Sequence, residues 1–118
     1  MPERPRIFLN TVSTGSTKYE NVLDVTISSD ALGISYLSLA IDPDPNALYR
    51  IIVGNLLSVV DIELTAIWGL ELPHLTSGFY TMLKRGDKII IQHKTKDPAV
   101  VVKTSATLVV NEVVALGR

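Results

Sequence analysis

Val60-Asp61-Ile62-Glu63-Leu64-Thr65-Ala66-Ile67-Trp68 decides the reading of this chain. Residues 60, 62, 64, 66 and 68 are all apolar, with Asp61, Glu63 and Thr65 between them. An alternation of period two puts the two sets on opposite faces of an extended segment, so the stretch predicts a half-buried β-strand. The pattern recurs over residues 21–28, where Leu23, Val25 and Ile27 alternate with Asp24, Thr26 and Ser28. Residues 7–12, 34–41, 79–83 and 88–93 read as further strands, and 100–116 as a long apolar last one. Residues 48–53 are apolar on both faces apart from Arg50, as a central or covered strand would be.

Turn chemistry separates these segments. Ser13-Thr14-Gly15-Ser16-Thr17, Gly54-Asn55, Lys84-Arg85-Gly86-Asp87 and Thr95-Lys96-Asp97-Pro98 are polar or glycine-containing breaks. In Asp42-Pro43-Asp44-Pro45-Asn46 two prolines withhold ladder donors, which makes the segment a connector or sheet edge. The longest irregular stretch is 69–78. No helical period intervenes, so the expected fold is all-β. It is a single-domain antiparallel β-sandwich over residues 1–118, immunoglobulin-like or jelly roll, with about eight strands and residues 1–9 as a candidate N-terminal arm. Val25, Ile27, Leu64, Trp68, Ile91 and Leu108 are its expected inward residues.

Composition narrows the function classes. A chain of 118 residues without cysteine folds as one domain with no disulfide, thiolate metal site or thiol chemistry. Eleven basic and 12 acidic residues give a net charge of -1, which leaves no electrostatic footprint for nucleic acid or an anionic membrane. Hydrophobic residues make up 47% and charged ones 19%, below the usual value of about 25%. Such a small chain either buries a large core or has apolar surface covered by other copies. No apolar run reaches the length of a membrane span, and the first six residues hold no signal-peptide core, so no membrane insertion is expected and the compartment stays open.

The chemical candidates each have a bland counterpart. Asp42, Asp44 and Asn46 have the spacing that opens a calcium loop, but Ala47 stands where its glycine belongs and Val53 where its bidentate glutamate belongs. His74 and His93 are the only histidines and lack zinc-ligand spacing. Gly33-Ile34-Ser35-Tyr36-Leu37 half matches a nucleophile elbow, without the second glycine. Asp61 and Glu63 read as a solvated strand face, and Arg85-Gly86-Asp87 as a hairpin tip that also spells an adhesion tripeptide. Lys84, Arg85, Lys88, Lys94 and Lys96 form a basic cluster with few aromatics beside it. No catalytic residue, metal or cofactor is expected.

The segment Leu83-Lys84-Arg85-Gly86-Asp87-Lys88-Ile89-Ile90-Ile91 resembles the turn-then-strand step of immunoglobulin-like sandwiches, over about the last third of the chain. The Cys-Trp-Cys framework of antibody domains is missing. The resemblance implies the range such sandwiches serve: adhesion modules, virion decoration proteins, tail or pilus subunits. The termini carry the functional expectation. Ile7, Phe8 and Leu9, with Val113, Val114 and Leu116, are candidate assembly contacts, because an apolar terminal strand is a hazard unless it pairs, with its own sheet or with a neighbouring copy. The expected function is a non-enzymatic structural subunit of a larger particle, a phage or archaeal virus decoration, capsid or tail protein. Its partners would be copies of itself and other structural subunits, not nucleic acid. The alternative is a ligand- or carbohydrate-binding adhesion module, with Trp68, His74 and Tyr80 around the long loop as contacts.

Overall fold

A computed structural model describes residues 2–115. The described residues form eight strands: β1 (Glu3–Thr14), β2 (Glu20–Thr26), β3 (Ala31–Asp42), β4 (Ala47–Val53), β5 (Leu57–Ile62), β6 (Trp68–Leu72), β7 (Lys88–Thr95) and β8 (Val102–Val114). They make two four-stranded sheets, β1-β8-β3-β6 and β2-β7-β4-β5. Every pairing is antiparallel. First strand pairs with last, second with second-last, third with sixth and fourth with fifth, alternately in one sheet and the other. That is one long antiparallel ribbon rolled over a core, the jelly roll, and not the immunoglobulin strand order.

The core lies between the sheets. Ile34, Leu37, Leu39 and Ile41 of β3 face Tyr49, Ile51 and Val53 of β4, with Ile89, Ile91, Leu108 and Val110 completing the layer, all essentially inaccessible. Val25, Ile27, Leu64, Ile91 and Leu108 are buried as the alternation predicts, and Trp68 is partly buried against them. β4 is a central strand, as its two apolar faces suggest.

Three expectations are corrected. Residues 60–68 do not form one strand: β5 ends at Ile62, the chain crosses between the sheets, and β6 begins at Trp68. Asp61 takes a left-handed backbone (φ 56°) where the β4–β5 register slips. Aspartate tolerates that conformation, and alternation in sequence is blind to it. Val60 and Ala66, expected inside, are exposed. Residues 79–83 contribute only an isolated bridge from Tyr80 to Ile34, although Leu83 is fully buried. Gly33 allows that approach, since a Cβ there would lie 2.5 Å from the Tyr80 carbonyl oxygen. Finally, the C-terminal strand is no edge: β8 runs between β1 and β3. From Glu3 onward the supposed arm is β1 itself, paired with β8 through Thr14.

Candidate functional site: the outer face and free edge of β1

β1 is held at its start by charge. Glu112 of β8, fully buried, accepts from Arg4 Nη2 (2.9 Å), Arg6 Nη1 (3.0 Å), the Ser28 amide (2.8 Å) and Ser28 Oγ (2.9 Å). Arg4 also reaches the exposed Asp30. Burial pushes the Glu112 carboxyl up, but the bonds from Ser28, Arg4 and Arg6 outweigh it and leave it below the ordinary carboxylate value. The sequence hides this cluster because its members lie far apart in the chain.

Beyond Arg6 the character changes. Every residue from Ile7 to Thr17 is uncharged. Odd-numbered β1 residues point away from the core, and Ile7 and Leu9 are 71% and 75% exposed. The register extends their rows across the sheet as Ile7, Val109, Ser38, Glu71 and as Leu9, Thr107, Ala40, Gly69. Pro5, Asn111 and Tyr36 form the next row, and Thr11, Ser105 and Asp42 the one on the other side. The middle of this outer face is therefore small, neutral and partly apolar, with charges only at its margin.

The backbone phase of β1 follows from one bond. Val114 N–H donates to the Pro2 carbonyl at 3.0 Å, and the register runs unbroken from Glu3 opposite Val113 to Thr14 opposite Val102. Even-numbered β1 residues therefore bond to β8, while the amides and carbonyls of odd-numbered ones face the other edge. Among the described residues no strand pairs there. Pro5 has no amide to offer at such a position, so beyond it the open donors belong to Ile7, Leu9, Thr11 and Ser13.

The other candidate residues fall apart as a group. Phe8 points inward opposite Leu108, under the Arg6 guanidinium at 4.9 Å. Val113 is buried and Val114 half-buried in β8, and Leu116 lies outside the described residues. In the loop, His74 Nε2 meets Glu3 Oε1 at 3.0 Å, and Ser35 Oγ donates to the same oxygen. The carboxylate stands between serine and histidine, so Ser35 and His74 make no nucleophile–base contact. The Ser35 bond, then His74, lowers the Glu3 carboxyl. Tyr80 donates to the Pro73 carbonyl, whereas Trp68 sits at the far end of β6, opposite Ile41. The cavity beside this loop measures about 90 Å³, below the range of about 300–1,000 Å³ for small-molecule sites.

The charged motifs are engaged locally. Lys88 pairs with Asp24, Lys96 with Glu63, and Lys94 with Asp61, where it also lies over the Tyr19 ring. Tyr19 donates to Asp61, and this bond, followed by that to Lys94, lowers the Asp61 carboxyl. Asp87 of the Arg-Gly-Asp tripeptide accepts from the Lys84 amide inside its own turn. Asp44 accepts from the Asn46 and Lys103 amides, and among the described residues no three metal-ligating side chains converge.

One buried relay escaped sequence reasoning. The Asp44 amide donates to Tyr49 Oη (2.8 Å), Tyr49 Oη and Thr104 Oγ1 share a hydrogen bond (2.6 Å), and Thr104 Oγ1 shares another with His93 Nδ1 (2.9 Å). The other ring nitrogen of His93, Nε2, is buried and has no hydrogen-bond partner among the described residues. Burial lowers the His93 pKa, against the pull of Glu20 and Asp44.

No family model and no curated protein matches the chain. Among solved structures it is similar to the VP2 subviral particle of infectious bursal disease virus, at 15% identity and a TM-score of 0.33 over 97% of this chain and 38% of that one. The Gx and Gt strains of the same virus give 14% identity, with TM-scores of 0.32 and 0.31 over 97% of this chain and 38% and 39% of theirs. The chain thus spans under two-fifths of their length.

Proposed function

We propose that this protein is a non-enzymatic structural subunit that self-associates through the β1 side of its outer sheet, as one building block of a larger particle. The observation that carries the reading is the neutral face centred on Ile7 and Leu9, continuous with an unpaired edge. Large exposed aliphatics on an open strand recruit further strands, and natural edges are usually blunted with charge to prevent it. This edge is blunted only at its start, by Pro5 and the arginine cluster. A virion decoration, capsid or tail role extends the reading by fold-level analogy, since jelly rolls often build viral capsids. Size-exclusion chromatography with light scattering tests it: concentration-dependent assemblies larger than 12.9 kDa are expected, and a monomer at every concentration would refute self-association.

A further inference from the structure

We infer that two copies join β1 to β1, antiparallel, across a two-fold axis at Asn10. The inference rests on the self-association reading and specifies the surface and register. Isologous pairing sets one strand against its own image, so any charge near the axis would meet itself. The neutral run from Ile7 to Thr17 removes that repulsion, a condition that a different partner protein would not impose. The nearest charge on the strand, Arg6, points inward and is held by Glu112 and the Thr26 carbonyl.

Backbone phase fixes the register. With Asn10 on the axis, Ile7 faces Ser13 of the second copy and Leu9 faces Thr11, so each outward amide meets an outward carbonyl. Moving the axis to Leu9 would set Pro5 against Ser13, and the missing Pro5 amide would leave a carbonyl unanswered. Moving it to Thr11 would set Ile7 against Gly15, beyond the end of β1. In the Asn10 register the two Leu9 side chains are diagonal neighbours, about 7–8 Å apart, and shield each other from water. The two outer sheets become one continuous sheet, with both neutral faces on the same side.

The chain has no cysteine, so single-cysteine variants report the geometry without interference. Asn10→Cys would face its own copy in a non-hydrogen-bonded pair, with Cα atoms about 4.5 Å apart, inside the disulfide range. Mild oxidation should give a covalent dimer with Asn10→Cys and none with Ser13→Cys, whose copies would lie about 20 Å apart. Leu9→Pro removes one edge-facing amide, leaves the β8 ladder intact and should raise the dissociation constant about tenfold or more with an unchanged β spectrum. If assemblies form but Asn10→Cys does not cross-link and Leu9→Pro associates as the parent does, the β1 pairing is wrong while self-association stands. A parent chain that stays monomeric overturns both.

Discussion

β1 and β2 form the two sheet edges on the same side of the sandwich, and the chain treats them in opposite ways. The β2 edge is closed by side chains: Asn10 Nδ2 donates to the Val22 carbonyl (2.9 Å) and Arg6 Nη1 to the Thr26 carbonyl (3.0 Å). A register shift between Asn21 and Leu23 bends it, and Glu20 and Asp24 add charge. Each of these devices discourages a further strand. β1 supplies capping groups for β2 and, past Pro5 and the arginine cluster at its start, keeps none for itself. A fold that can protect an edge, and protects only one of two neighbours, has left the other available.

The largest way to break this contrast is at the anchor of β1. Glu112→Ala leaves Arg4, Arg6 and the Ser28 amide without their common acceptor and should cost about 3 kcal/mol in chemical denaturation. A loss below about 1 kcal/mol would show that the cluster does not hold the strand. Because the Glu112 carboxyl is lowered in the fold, its stabilisation is present above the unfolded value of 4.5 and fades as pH falls through the folded one. His93 acts in a higher window. Its folded pKa lies below 6.5, so the unfolded chain takes up the proton first and stability declines as pH falls beneath 6.5. Replacement of His93 by Gln should flatten thermal stability between pH 7 and 5, measured by differential scanning calorimetry; an unchanged slope would assign the loss to other groups.

Smaller effects sharpen the comparison. Asn10→Ala uncaps the β2 edge and should cost about 1 kcal/mol. Leu9→Ala should change monomer stability by under about 0.5 kcal/mol, since the side chain is 75% exposed, yet weaken association. Equal effects of the two variants on both quantities would erase the distinction between a closed edge and an open one.

The class of the fold was legible because β4 and β7 obey period two throughout, and β2 and β3 do so beyond their register shifts, from Leu23 and Tyr36 onward. The topology was not. The most regular-looking stretch holds a left-handed Asp61 within β5 and a break over residues 63–67 that carries the chain to the other sheet, and alternation carries no sign of either. The place of β8 was misjudged for a similar reason: its apolar length suggested exposure, whereas partners on both sides explain it. Ile7 and Leu9 stood out because local composition marks them. Glu112, His93 and the Thr104 relay could not, since each depends on contacts between segments distant in the chain.

Residue-resolved amide hydrogen exchange at two protein concentrations tests the open edge most directly. The amides of Phe8, Asn10 and Val12, which face β8, should be protected at both concentrations. Those of Ile7, Leu9, Thr11 and Ser13 should exchange rapidly when dilute and gain protection as copies associate. Outward amides that stay unprotected while the protein assembles, or that are already protected in the dilute monomer, would contradict the account.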